Sequence, residues 1–203
     1  MAAVITEVPE HRVYKNVLRM LKTRKWNVPD ALSAQEYDKI RPTTDYEIIP
    51  ICHHMDDSER ILIIFFSFVD KLRKSHIDRY VATMGDIGAT DGLIVYKNET
   101  TPTARTEVSR NELELIHYSQ MYRCILDHHL VPRYELVSNE KNEELDRKYG
   151  LDKIPRMFVT DPIARYYQAQ VGDIFRIVRK NNQTILEVYY RRIVENTSRK
   201  NKK

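Results

Sequence analysis

The stretch Ile61–Val69, Ile-Leu-Ile-Ile-Phe-Phe-Ser-Phe-Val, constrains the fold more than any other part of the chain. It is apolar except at Ser67, and it falls far short of the roughly 20 residues that cross a bilayer. No membrane anchor is expected. Tyr46–Ile51 is a second short run rich in Ile, and the polar segment His54–Glu59 separates the two. Tyr46–Ile51 and Arg60–Phe68, on either side of this polar turn, read as the two strands of a hairpin, the start of a sheet.

Length and composition then set the scale. The chain has 203 residues, 42% of them hydrophobic and 31% charged, with only 5 Gly and 8 Pro, so most of it is expected to fold, as one sizeable domain or two small ones. Its net charge is +4, yet Arg191–Lys203 holds six basic residues against Glu195 alone, which leaves the remainder near −1. A protein that coats nucleic acid displaces counterions with a broad basic surface, so any nucleic-acid contact here must be local. Met1–Glu10 lacks a basic start followed by an apolar stretch, and no secretory signal is expected. Cys52 and Cys124 are too few for a disulfide framework and fit a reducing compartment.

Ahead of the sheet, Val13, Val17, Leu18 and Leu21 recur at helical spacing within Glu10–Lys25. Ser33 and Glu36 form a capping-box pattern for a second short helix that ends before Pro42. After the hairpin, a box from Ser75 to Asp78 opens a helix through Ile77, Tyr80, Val81 and Met84, which yields to a turn carrying Gly85, Gly88 and Gly92. Leu93–Tyr96 is a strand, and a helix crossing between strands is the ingredient of an α/β layer. Thr101-Pro102 reads as an N-cap followed by proline at the first helical position. Glu112–His117 alternates as a strand, and Met121, Cys124 and Ile125 predict a helix ending near His129.

In the last third, Arg133–Val137 is a strand and Ser138 caps a helix that closes on Gly150 in a left-handed cap. Met157–Thr160 is a further strand, and Asp161-Pro162 repeats the cap-plus-proline start. Gly172 opens a tight turn, then Ile174–Val178 pairs with Leu186–Val194 across Lys180–Thr184. The fold class expected is mixed α/β (α+β) in two domains. Residues 1–129 form an α/β domain with a mixed sheet, residues 130–195 a small domain with a mixed sheet flanked by two short helices, and residues 196–203 a basic, disordered tail. A domain of about 65 residues hides only roughly 60% of its unfolded surface, so docking on a partner is in view.

Candidate chemistry is sparse. His53-His54 and His128-His129, with Cys52 and Cys124, lack the spacing of a zinc tetrahedron, and no metal is expected. The glycines fit neither a P-loop nor a dinucleotide fingerprint, so no cofactor and no small-molecule substrate is assigned. Asp45, Glu47, Asp56 and Asp57 could in principle hold magnesium as in a nuclease, although the acidic-x-Lys strand signature is missing. A free-standing DNA-binding adaptor that relies on its basic tail is a third reading.

One resemblance is extensive. Leu130-Val-Pro-Arg-Tyr-Glu-Leu-Val137, Ile154-Pro-Arg-Met-Phe-Val-Thr-Asp-Pro-Ile-Ala-Arg-Tyr-Tyr167 and Val171-Gly-Asp-Ile-Phe-Arg-Ile-Val-Arg179 together resemble subunit 5 of eukaryotic RNA polymerases and its archaeal counterpart. The likeness runs from Leu130 to Val194 and continues through Gly92–Tyr96 and Thr101–Arg105. Thr103 stands where the family has Ser, Ile154 stands where it has Leu, and the region before Thr90 departs widely. The two-part layout is like the eukaryotic form, and the diverged first part is like a version carried by a large DNA virus with its own polymerase.

The resemblance implies a non-catalytic subunit of a multisubunit polymerase, with no catalytic residue of its own. Its C-terminal unit would assemble onto the largest subunit among other polymerase subunits, and its N-terminal unit would form part of the lower jaw. Thr101, Pro102, Thr103, Ala104 and Arg105 then map to a loop near downstream duplex DNA, met without sequence preference. Free N–H groups and the positive end of a helix dipole suit a phosphate there, while an ordinary capped surface helix is the alternative. Pro132, Pro155, Arg156, Asp161, Pro162, Ala164, Arg165, Tyr166, Tyr167, Gly172 and Arg179 are the assembly motif, serving either the fold or the partner. The working location implied is the nucleus for a cellular polymerase, or the host cytoplasm and virion for a viral one.

Overall fold

A computed structural model describes residues 9–28, 30, 46–57, 59–180 and 186–196. The helix expected from Ser33 and Glu36, turn residues 181–184 and the basic tail from 197 on lie outside these residues. The chain divides into two compact units, Met1–Cys124 and Ile125–Lys203.

The first unit is built on a five-stranded mixed sheet. Its elements are α1 (Pro9–Thr23), β1 (Trp26–Asn27), β2 (Tyr46–His54), β3 (Ile61–Ser67), β4 (Lys71–Leu72), α2 (Lys74–Ile87), β5 (Asp91–Tyr96), β6 (Glu99–Thr100), α3 (Pro102–Arg110), β7 (Glu114–His117) and α4 (Tyr118–Tyr122). Strand order is β1-β2-β3-β5-β7. β1, β2 and β3 pair antiparallel, and β5 and β7 add in parallel. Parallel neighbours need a crossover, and α2 and α3 supply it.

Burial explains why β3 is central. Side chains alternate across a strand, so Ile63 and Phe65 face one way and Ile64 and Phe66 the other, yet all four are at most 2% exposed. Ile63 and Phe65 join Tyr80 and Met84 of α2 and Ala104 and Val108 of α3 in one cluster, with Phe65 stacked on Tyr80 at 4.6 Å between centroids. α1 covers the opposite face, where the Tyr14 and Phe66 rings lie 6.4 Å apart. The sheet is therefore sandwiched between helices.

Three local readings are corrected. The helix expected from a Ser75 cap starts two residues earlier, with Arg73 as its N-cap, because His76 Nδ1 accepts the Arg73 N–H at 3.0 Å and closes the turn in place of Asp78. Of the three glycines read as a turn, Gly88 alone ends α2, at φ 75° and ψ 26°. Gly92 lies inside β5, and a Cβ there would meet Leu113 Cδ2 at 2.6 Å and Met84 Sδ at 2.7 Å, so close packing and not chain reversal requires it. The helix expected through Cys124 and Ile125 stops at Tyr122, because Arg123 turns extended. Met121 and Cys124 are buried, whereas Ile125 opens a 3₁₀ turn (Ile125–Asp127) that packs on the second core. The chain thus changes units between Cys124 and Ile125, where the sequence reading puts the change after His129.

Pro50 has no N–H to give the ladder. The pairing of β2 with β3 shifts there by one residue, from Ile49 opposite Ile64 to Cys52 opposite Leu62, which is a bulge.

The second unit contains β8 (Arg133–Leu136), α5 (Asn139–Tyr149), a 3₁₀ turn (Leu151–Lys153), β9 (Arg156–Phe158), α6 (Pro162–Tyr166), β10 (Ile174–Lys180) and β11 (Leu186–Val194). The order is β8-β10-β11-β9, antiparallel except for the parallel β11–β9 pair. One face packs Phe175, Ile177 and Ile193 against Ile163 and Ala164 of α6. The other packs Ile174 against Leu145 of α5 and Ile154. Gly150 has the positive φ expected of it, 76°, but with ψ 125° it is not in the left-handed helical conformation.

Candidate functional site

The first candidate surface is the start of α3. β4 and β6 form a parallel ladder of two residues, Lys71 opposite Glu99 and Leu72 opposite Thr100, and each is followed at once by a helix, α2 from Lys74 and α3 from Pro102. Two helix N-termini therefore start side by side, both with the positive end of their dipoles at that surface. Thr101 is the N-cap of α3, and its Oγ1 accepts the Ala104 N–H at 3.2 Å. Pro102 and Thr103 are exposed, whereas Ala104 is fully buried and belongs to the core.

Arg105 is exposed, and its Nε and Nη2 donate to Thr100 Oγ1 at 3.3 and 3.2 Å. A neutral hydroxyl holds the guanidinium, so its positive charge is retained. Exposed Arg73 directly follows Leu72, whose carbonyl accepts the Thr101 N–H. Lys74 is bonded to Glu107 at 2.6 Å. That hydrogen bond is the main reason the Lys74 ammonium is held above its ordinary value and the Glu107 carboxyl below its own. The arrangement offers donors and positive charge to an anion. Sequence reasoning missed the ladder and with it Arg73 and Lys74, because two residues carry no periodicity.

The carboxylates considered for magnesium do not converge. Lys25 Nζ binds Asp56 at 2.8 Å, and this hydrogen bond is the main cause of the lowered Asp56 value. Asp57 Oδ1 accepts the Glu59 N–H at 3.1 Å. The side chains of Asp45 and Glu47 lie outside the described residues. No group of three or more His, Cys, Asp or Glu that could hold a metal exists among the described residues. His128 and His129 stack on each other at 4.8 Å, and Cys124 is buried.

In the second unit the residues expected to form the assembly motif separate into interior and surface. Asp161 caps α6, its Oδ1 accepting the Ile163 N–H at 2.8 Å. Ala164 and Tyr166 are buried. Tyr167 packs on Phe175 at 5.3 Å and donates its hydroxyl to the Tyr134 carbonyl at 2.9 Å. These residues build the domain. Pro162, Arg165, Arg156 and Arg179 are exposed and Pro132 is half-buried. The exposed Pro155 accepts the Arg192 N–H at its carbonyl, 2.9 Å. Gly172 takes φ 103° in its turn, a region costly for a residue with a Cβ.

The family model described as RNA polymerase Rpb5, C-terminal domain, matches residues 121–193. The chain is 29% identical over 188 residues to DNA-directed RNA polymerases I, II, and III subunit rpabc1 of Dictyostelium discoideum, covering 89% of this chain and 94% of that protein. It is 26% identical over 195 residues to DNA-directed RNA polymerase V subunit 5A of Arabidopsis thaliana, covering 89% and 87%. A shorter relative, DNA-directed RNA polymerase subunit Rpo5 of Methanothrix thermoacetophila, is 34% identical over 74 residues, which are 36% of this chain and 95% of the relative. The chain therefore belongs to the subunit 5 family of DNA-directed RNA polymerases, whose members are accessory and not catalytic subunits.

Proposed function

We propose that this chain is seated on the largest subunit of a multisubunit polymerase by its second unit and that its first unit forms part of the lower jaw beside downstream duplex DNA. One observation carries the assembly half of this reading. Among the described residues, eight of the ten large apolar side chains that stand exposed lie in the smaller unit, Ile125–Lys203. Their gathering in one small unit supports an interaction site there.

The DNA half rests on the paired helix starts. The exposed Pro102–Thr103 corner and the retained charge of Arg105 suit a phosphate, and a phosphate contact positions the duplex without reading bases. Phosphodiester chemistry and its magnesium belong to the large subunits in this reading. The divergence before Thr90 favours a virus-encoded member like that of African swine fever virus, working in host cytoplasm and virion, with the nucleus as the location for a cellular one.

The test is to tag the chain in its native source and identify what copurifies. The reading expects the largest polymerase subunit, and a preparation without polymerase subunits overturns it. For the DNA half, Thr101→Ala, Pro102→Ala and Arg105→Ala combined are expected to shorten elongation-complex lifetime and flatten its salt dependence with assembly intact. An unchanged lifetime overturns that half.

A further inference from the structure

The sheet of the second unit is covered unevenly on the face that α5 packs against. Residues paired across neighbouring strands share a face, so Ile174, Arg176 and Val178 of β10 lie with Arg192, Tyr190, Val188 and Leu186 of β11 and with Arg133 and Glu135 of β8. α5 reaches only part of this face. Leu145 packs with Ile154 and Ile174, and Tyr190 sits at the margin of that cluster. Ile174 is 0% exposed, whereas two rows further along Val188 is 42% exposed and three rows along Leu186 is 61% exposed. The helical layer stops while the apolar sheet continues.

The rim of the uncovered part is basic. Arg133 and Arg176 share one carboxylate, Glu135, at 2.9 and 2.8 Å. Two guanidinium groups on one carboxylate leave a net positive charge next to Val178 and Val188. The chain that follows β11, Thr-Ser-Arg-Lys-Asn-Lys-Lys from residue 197, carries four basic residues and no large apolar one. It is repelled by that rim and has nothing to bury on the valines, so it is the wrong cover.

We propose that an acidic amphipathic helix of the largest polymerase subunit lies beside α5 and completes the layer over Val178, Leu186 and Val188, its carboxylates meeting Arg133 and Arg176. The inference rests on the assembly reading above and deepens it by naming the face and the chemistry of the partner. A helix is the cover that a half-buried sheet face takes, the apolar stripe of an amphipathic helix fits a row of valines, and a guanidinium pairs well with a carboxylate.

The experiment uses the full chain copurified with its polymerase. Leu186→Asp/Val188→Asp alters two exposed positions and is expected to lower recovery of the largest subunit at least tenfold without moving the melting temperature of the free chain. Arg133→Glu, at a side chain 78% exposed, is expected to lower it severalfold. Glu187→Gln, on the opposite face of β11, is expected to leave recovery unchanged. A photo-crosslinker at Val188 is expected to capture a largest-subunit peptide rich in Asp or Glu. Undiminished recovery with the double variant overturns the inference alone, as does a crosslink to nucleic acid, to a second copy of this chain or to its own tail. Absence of the largest subunit from the wild-type preparation overturns the assembly reading and this one with it.

Discussion

Thr101 and Leu72 are joined twice, the Thr101 N–H to the Leu72 carbonyl at 3.0 Å and the Thr101 hydroxyl to the same oxygen at 3.2 Å. The same hydroxyl oxygen caps α3. One side chain thus holds the start of a helix against the neighbouring strand. Thr101→Ala removes both roles and is expected to cost about 1–2 kcal/mol in urea unfolding, with Thr101→Ser recovering most of it. Equal stability of the Ala and Ser variants would show that the hydroxyl does not tie the two elements together.

Gly92→Ala tests the packing at β5. The new methyl would stand against Leu113 and Met84, and overpacking of a filled core typically costs about 1–3 kcal/mol. Shortening the obstructing side chain, as in Gly92→Ala/Leu113→Ala, is expected to recover part of the methyl's cost relative to Leu113→Ala alone. A double-mutant cycle from denaturant melts reads the coupling, and a coupling of zero refutes the contact.

The Lys74–Glu107 pair gives a pH dependence with a definite sign. Its folded-state carboxyl lies below the ordinary value, so its contribution to stability is present above the unfolded-state value and is lost as pH falls through the folded one. Lys74→Met is expected to raise the Glu107 midpoint in a carboxyl NMR titration, and the stability gap between variant and wild type is expected to close on acidification. A midpoint that does not move would remove Lys74 as the cause.

Tyr167 and Arg165, two residues apart in one motif, are expected to respond oppositely. Tyr167→Phe leaves the Tyr134 carbonyl without its side-chain donor and should lower stability by about 1 kcal/mol. Arg165→Ala alters an exposed side chain and should leave melting unchanged while reducing copurification with the large subunit. Calorimetry of the free chain and recovery of the complex separate the two, and a stability loss for Arg165→Ala would place it with the fold.

Much of the architecture was legible where a physical period or a cap signal was long enough to read. The stripe Val13, Val17, Leu18 and Leu21 is the buried face of α1, the Ile and Phe runs are β2 and β3, and both cap-plus-proline starts hold their hydrogen bonds. Elements of two residues were not legible. β1, β4 and β6 exist because neighbouring segments bring them together, and no pattern within Trp26–Asn27 or Lys71–Leu72 announces them. Gly92 was misread because a glycine needed for lack of space and one needed for backbone freedom are identical letters. Within the candidate sites, Ala104 and Tyr166 carry the motif's letters but sit in the core, since a linear motif does not record which of its side chains point outward.

The uneven exposure of the second unit bears on how the cell must handle this chain. A copy that has not yet met its polymerase displays Leu186, Val188 and Val171 to solvent, the kind of surface that chaperones hold and proteases sample. Synthesis in excess of the large subunits should therefore yield short-lived orphans, and abundance would be set by assembly more than by translation.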